Sequence, residues 1–409
     1  HKLIQKPLYI TETMMTLTGT TAEDGSGTTT NNNKVMLSCH SDYIHSVSFD
    51  VYGRRMATCS GDRFVRVWDL TDTGDWNLVG EWQAHRGNVL KIAWAHPEFG
   101  SVLGTCGSDS DAKIWEERTH AMTTTNGATA PGASTPTAGA SNALASRWTI
   151  KTQLTEARKA VTCLEFAPRQ WGLKLATGSQ DGCIRIYEAV DIMNLAQWPL
   201  AATLQAFGEG TASGELGVLC LSWCTGRFEP PTLVAGGSHL FIFRYMETSR
   251  SWQPLLQLPS AGNATTHVLD VSWAPNVGRR FHYIASAEDQ QLHVYKLSRT
   301  YDSDDSNANA NKQGGAKNTG NRSGNKAVGA GINNNKLEVE SSQTLVANAW
   351  RCQWNVTGTV LASSGDAGIV QLFKADNDGN FQCVAQAQGD LSQVAAAHSG
   401  NNNNNAMME

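Results

Sequence analysis

Four segments of this chain close on the same signature: an Asp in a tight turn, a β-branched strand, and an aromatic six residues after the Asp. The pairs are Asp62 with Trp68, Asp109 with Trp115, Asp181 with Tyr187 and Asp289 with Tyr295. Spacing that regular marks a repeat array, built from a unit that cannot bury its own apolar face and must stack on copies of itself.

A second anchor extends the array. Alternating apolar strands end on an aromatic at Ile44 to Phe49, Val89 to Trp94, Val161 to Phe166, Val218 to Trp223, Val268 to Trp273 and Trp350 to Trp354. A propeller blade of about 40–45 residues fits the 45-residue step from Phe49 to Trp94, and the longer steps hold recognisable insertions. Six anchors predict an all-β WD-repeat β-propeller of six four-stranded blades.

Period-two alternation gives the remaining strands of each blade. After the first anchor come Arg55 to Cys59, Val65 to Asp69 and an outer strand near Leu78 to Trp82. Outer strands are also expected at Trp148 to Leu154, Trp198 to Leu204, Trp252 to Leu258, Leu337 to Leu345 and Phe381 to Ala385. The last blade therefore owns its fourth strand, and the two chain ends do not share a blade. Val35-Met36-Leu37 is left as a spare strand, and the ring is expected to be open.

The predicted organisation is an N-terminal extension over 1–33, the propeller over 34–391 and a tail over 392–409. Two stretches foreign to the array, the Ala/Thr-rich 119–146 and the Asn/Gly-rich 302–335, read as insertions on its rim. Neither these nor the two ends carry enough apolar surface to offset the entropy of ordering, so disorder is expected. The chain begins at His1 rather than Met and reads as a fragment or a trimmed chain without a visible secretory signal.

A net charge of −5 with 17% charged residues leaves no basic footprint, which argues against direct nucleic-acid binding. No apolar run is long enough for a transmembrane segment. The nine cysteines are scattered, without a CxxC, and most fall in predicted strands where a thiol acts as a small buried hydrophobe. They read as reduced thiols, and Cys220 with Cys224 lacks the second pair that a zinc site needs. No cofactor or metal is expected.

His40 or His85, a neighbouring hydroxyl, and Asp62 or Asp109 match a Ser-His-Asp set in composition. The same residue types make the internal network of a WD blade, in which His, hydroxyl, turn Asp and the Trp68 or Trp115 indole satisfy one another. Buried polar groups require that satisfaction, so the structural reading is preferred and no enzyme is predicted. Only the first two blades carry the His; Ala157, Gly214, Ala264 and Leu345 stand there in the others, and Gly237 and Ala367 replace the Asp in blades four and six.

Longer strings carry a resemblance beyond the repeat. His45-Ser46-Val47-Ser48-Phe49-Asp50, Trp94-Ala95-His96-Pro97-Glu98-Phe99-Gly100, Ile186-Tyr187-Glu188-Ala189 with Met193 to Trp198, Ala274 to His282, and Trp354 to Asp366 resemble the small WD-repeat nucleoporin family that is paralogous to the COPII coat propeller subunit. The Tyr187 to Trp198 string favours the nucleoporin side of that pair, and the match spans about 38–385 outside the insertions.

The resemblance implies a scaffold in the Y-shaped outer-ring complex of the nuclear pore, at the nuclear envelope, supporting mRNA export and protein import. Its implied partners are a helical-solenoid nucleoporin that donates a blade in trans and the other Y-complex nucleoporins. A second implied setting is an amino-acid-sensing complex upstream of TOR at the lysosomal or vacuolar membrane surface. The COPII subunit itself or another WD-repeat adaptor are the alternative readings. Candidates for the partner-blade junction are Val35, Leu37, Ile44 and Phe49 from the chain's start and Trp350, Trp354, Ile369 and Phe373 from its last blade.

Overall fold

The computed structural model describes residues 40–117, 148–207, 217–227, 229–259, 267–288, 290–301, 335–365 and 368–388. Val35, Leu37, both insertions except Asn335, the extension, the tail, Asp289 and Ala367 lie outside them. Six antiparallel sheets of four strands each make a ring of blades, and every sheet is built from four consecutive strands.

Blade one runs Ile44–Phe49, Arg55–Ser60, Phe64–Leu70 and Trp76–Gln83. Blade two follows with Val89–Trp94, Val102–Gly107, Ala112–Glu117 and Trp148–Leu154. The third takes Val161–Phe166, Lys174–Ser179, Cys183–Glu188 and Leu200–Gln205, and the fourth Cys220–Trp223, Thr232–Gly236, Leu240–Met246 and Ser251–Leu258. Val268–Trp273, Phe281–Glu288, Gln290–Tyr301 and Asn335–Ala349 form the fifth; Arg351–Trp354, Val360–Ser364, Ile369–Ala375 and Phe381–Gln388 form the sixth.

Some expected boundaries shift. The sixth inner strand starts at Arg351 rather than Trp350, and the fourth at Cys220 rather than Val218. Trp198 precedes its strand and instead donates its indole N–H to the Leu195 carbonyl at 3.0 Å, closing a local turn. The outer strand of blade five is longer than expected because its ladder with Gln290–Tyr301 runs on to Tyr301 and Asn335.

The motif spacing has a backbone cause. The residue after the motif position takes a left-handed conformation in five blades, at Arg63 (φ 75), Ser110 (φ 68), Gly182 (φ 81), Gln290 (φ 65) and Gly368 (φ 64). A non-Gly residue there costs about 1–2 kcal/mol. The Asp side chain offsets it by accepting the amide two residues on, Phe64 N at 2.9 Å from Asp62 and Cys183 N at 3.0 Å from Asp181. At the other end of the strand a bulge falls beside the aromatic, at Val67/Trp68, Ile114/Trp115, Ile186/Tyr187 and Leu372/Phe373. Bulges raise local twist, and a strongly twisted sheet can pack face to face around an axis.

The cores lie between blades. Ala57, Cys59, Val65 and Val67 of blade one meet Val89, Ile92, Leu103 and Trp115 of blade two. Equivalent shared clusters join blades two and three, three and four, four and five, and five and six. Anchor indoles stitch the same interfaces: Trp94 donates to the Ser48 carbonyl, Trp223 to that of Glu165 and Trp354 to that of Ser272, each at 3.1 Å. One further cluster, Ile44, Met56 and Trp68 with Val47, Phe49, Trp76 and Leu78, is drawn from blade one alone. The ring is open between blades six and one.

Candidate functional site

Two constellations could carry function: the Asp networks inside the blades and the open seam. In blade two, His85 directs Nδ1 at Asp109 (2.9 and 3.1 Å) and Nε2 at the Thr105 hydroxyl (2.8 Å), and the Trp115 indole donates to that hydroxyl at 2.9 Å. A carboxylate only accepts, so Nδ1 carries the proton and Nε2 accepts from Thr105. Blade one repeats the set with His40 between Asp62 (2.8 Å) and Thr58 (2.9 Å), and with Trp68 on Thr58 at 3.3 Å.

These sets are closed to chemistry. Thr58 and Thr105 are fully buried, and each hydroxyl is already engaged by a histidine and an indole, so it cannot approach a substrate carbonyl. Against the upward push of burial, the His85 hydrogen bond and charge and the Arg86 amide bring the Asp109 carboxyl down to about 2. His40, the Phe64 amide and Arg66 likewise outweigh burial at Asp62 and hold it well below the usual range.

A basic residue four positions after the Asp escaped the sequence reading, although its spacing is as regular as that of the aromatic. Arg66 donates to Asp62 at 3.1 Å, and Arg185 donates to Asp181 at 2.7 Å and to Ser179 at 2.8 Å. Arg185 takes the place of the missing histidine in blade three. Lys113 instead reaches the Ala84 carbonyl at 2.9 Å, and His293 bonds Thr344 at 3.0 Å. Tyr187 and Tyr295 depart from the Trp pattern: their hydroxyls donate to Glu156 (2.9 Å) and to the Pro259 carbonyl (2.8 Å). In blade five Glu288, buried beside Ser286 at 2.7 Å, supplies the carboxylate among the described residues.

The inner strands gather a second charged group. Lys91 exerts its charge on Cys59, Cys163, Glu165 and Cys352, groups of blades one, three and six as seen from blade two, which puts it near the axis. Asp270 accepts the Cys352 amide at 3.1 Å and faces Arg351 at 3.7 Å. Burial pushes the Glu165 carboxyl up to about 8 in spite of Lys91 and the Trp223 amide.

At the seam, blade one presents Ile44, Val47, Phe49, Trp76 and Leu78 around Met56 and Trp68, with no counterpart from blade six in that cluster. Phe49 packs edge-on against its own blade's Trp76, 5.8 Å between centroids. Phe49 also lacks the N–H by which Trp94, Trp223 and Trp354 grip the preceding blade. Trp354 and Phe373 belong to the last blade but pack toward blade five, with Tyr283 and Phe381. Period-two alternation puts Ala362, Ser364, Val370 and Leu372 on the opposite face, matching Ala57, Cys59, Val65 and Val67, which cover blade two. Ala362 and Leu372 are half-buried, whereas Ser364 and Val370 are buried at 1% exposure each. Ile369 is half-buried at the start of its strand, and Trp350 bonds through its backbone N–H to Ser364 at 2.7 Å while its indole N–H is buried without a partner. The Ser363 and Ser364 hydroxyls and the Gln371 carbonyl are also buried and unpartnered, so such groups concentrate in the sixth blade.

Comparison with known proteins places this geometry among relatives. The profile described as "WD domain, G-beta repeat" matches residues 31–69 and 148–188. The chain is 35% identical to nucleoporin SEH1-A of Xenopus laevis over 378 residues, covering 88% of this chain and 89% of that one. It is 36% identical to human nucleoporin SEH1 over 372 residues (87% and 88%) and 35% identical to the Danio rerio protein over 377 residues (88% of each).

Proposed function

The chain belongs to the SEH1 family of WD-repeat nucleoporins, non-catalytic scaffold subunits of the nuclear pore's Y-shaped complex, and from that premise we propose that its open seam receives a blade from a helical-solenoid nucleoporin. The observation that carries this reading is the apolar cluster made by blade one alone, opposite a blade whose outward face repeats the pattern used elsewhere to cover a neighbour. Unpaired strand edges and apolar faces are aggregation-prone until covered. An inserted blade would pair and cover both sides by strand addition, burying on the order of 2,000 Å² or more, an obligate-class interface.

Mounting a rigid ring on a solenoid gives a structural role without turnover, in support of mRNA export and protein import at the nuclear envelope. The same seam would serve a second assembly at the lysosomal or vacuolar surface upstream of TOR, provided that partner offers a comparable blade.

Co-expression tests the reading. Val47→Asp or Leu372→Asp should abolish co-purification with the solenoid nucleoporin while the circular-dichroism spectrum stays that of a β-propeller. A free chain that is a stable monomer, with hydrogen exchange in Ile44–Phe49 and Ile369–Ala375 indifferent to the partner, would refute blade donation.

A further inference from the structure

Diametrically across the ring from the seam, the interface of blades three and four is incompletely filled. In five blades an aromatic opens the outer strand or the turn before it, two residues past the motif aromatic in register: Trp76, Trp148, Trp198, Trp252 and Phe381. Trp148, Trp198 and Phe381 are buried against the preceding blade. Trp76 is half-exposed because no blade precedes it. Trp252 has a preceding blade and is half-exposed all the same.

Trp148 stacks on Trp82 at 5.3 Å; at the register position of Trp82, blade three has Leu204, as blades two and five have Leu154 and Leu345 beside the buried Trp198 and Phe381. Only at the interface of blades three and four does a half-exposed Trp lie beside such a leucine among the described residues, and there a cleft of about 440 Å³ opens, continued past Leu204 by another of about 390 Å³ toward Phe241 and Phe243. The larger lies within the 300–1,000 Å³ range of built ligand sites.

The cleft is floored by an aromatic staircase. Trp171 lies against Trp223 (5.7 Å), Trp223 against Trp252 (5.8 Å) and Trp252 against Tyr245 (5.8 Å), all tilted or edge-to-face. Trp171, Tyr245 and Trp252 keep exposed ring surface. Pro231 stands in the wall of this cleft and Pro254 in that of the adjoining one, and neither brings an N–H. Lys174 and Glu188 satisfy each other at 3.0 Å, which leaves exposed Arg250 as the uncompensated charge of the rim; among the described residues no carboxylate pairs with it.

We propose that this cleft binds an extended, proline-rich segment of a partner protein with an acidic residue beside the prolines. Flat prolyl rings pack on aromatic faces, and a polyproline II helix has no internal hydrogen bonds to lose and little conformational entropy left to surrender. Arg250 selects the acidic flank. Because the cleft lies opposite the seam, its occupant and an inserted blade do not compete.

Fluorescence anisotropy of a labelled oligoproline flanked by glutamates, titrated with the full chain, tests the assignment against lysine-flanked and Gly/Ser peptides of equal length. Saturable binding is expected, tighter for the glutamate-flanked peptide and weakened at least about tenfold by Trp252→Ala. Arg250→Glu, an exposed change made to leave the melting curve unaltered, should invert the flank preference and so decides the matter even if Trp252→Ala unfolds. Absence of saturation up to about 1 mM, equal binding of the Gly/Ser peptide, or a flank preference indifferent to Arg250→Glu would overturn the proposal. So would self-association of the chain that Tyr245→Ala abolishes, which would make a second copy the occupant.

Discussion

Removing the Asp62 carboxylate should loosen the first blade by an amount the contacts allow to be bounded. Its side chain is 3% exposed and accepts from His40 Nδ1 (2.8 Å), the Ser41 and Phe64 amides (3.1 and 2.9 Å) and Arg66 Nη1 (3.1 Å). Asp62→Ala leaves the Phe64 amide without its acceptor and the left-handed Arg63 without the Asx turn that holds it. Charge-assisted hydrogen bonds contribute about 1.5–3 kcal/mol, and stranding a buried partner charge raises the loss toward 3–5 kcal/mol. Arg66 is not stranded, because Glu81 still holds its other nitrogen at 2.6 Å. The expected cost is therefore about 2–4 kcal/mol, or roughly 4–8 °C in melting temperature at about 2 °C per kcal/mol. Differential scanning fluorimetry reads the melting point, and hydrogen exchange should show lost protection over Arg55–Ser60 and Phe64–Leu70 but not in blade four, since repeats communicate mainly with neighbours. Asp304→Ala, in the Asn/Gly-rich stretch, serves as the control and should be neutral within about 0.5 kcal/mol. Equal melting temperatures for Asp62→Ala and the unmodified chain would refute the network argument.

Two further predictions concern pH and thiol chemistry. Glu165 is raised above its unfolded value, so its contribution to stability is fully present below the unfolded pKa near 4.5 and is lost as pH rises toward about 8. Glu165→Gln should therefore melt increasingly above the unmodified chain as pH goes from 5 to about 8, and a pH-independent difference would show that the carboxyl is solvated. Asp62, Asp109 and Asp181 are depressed and act in the opposite sense, their support persisting above about pH 4 and failing as pH falls toward 2. Among the described cysteines, Cys383 is exposed and Cys183 half-buried, whereas burial pushes the Cys59 and Cys163 thiols up to about 12. Alkylation followed by mass spectrometry should mark Cys383 first and Cys183 slowly, leaving Cys59 and Cys163 until unfolding; early labelling of Cys59 would contradict the packing between blades one and two.

Much of the ring was legible because its determinants are local. The Asp-to-aromatic spacing is set by an Asx-stabilised left-handed turn at one end of a strand and a bulge at the other, both readable within seven or so residues. The anchors Phe49 to Trp354 counted the blades, and the strand near Phe381 settled that the last blade needs nothing from the chain's start. The basic residue four after each Asp was visible in the string but carried no local signal of its purpose. Arg185 replaces a histidine only because three-dimensional proximity brings it to Ser179 and Asp181.

The seam shows the limit more sharply. Trp354 and Phe373 are large, apolar and in the edge blade, which made them natural junction candidates, but alternation turns them toward blade five. The less conspicuous Ala362, Ser364, Val370 and Leu372 hold the outward face. Hydrophobicity alone does not tell which of two faces a strand gives to which neighbour.

From the sequence by itself came the unit, its number of copies and the expectation that they do not close on themselves, since turn chemistry and period-two alternation act over a few residues. Tertiary structure decided which face of blade six packs on blade five, that Lys91 exerts its charge on groups of blades one, three and six, and that Trp252 stays half-exposed although a blade precedes it. Those outcomes depend on how six twisted sheets fit around an axis, and each fit is set by side chains tens to hundreds of residues apart.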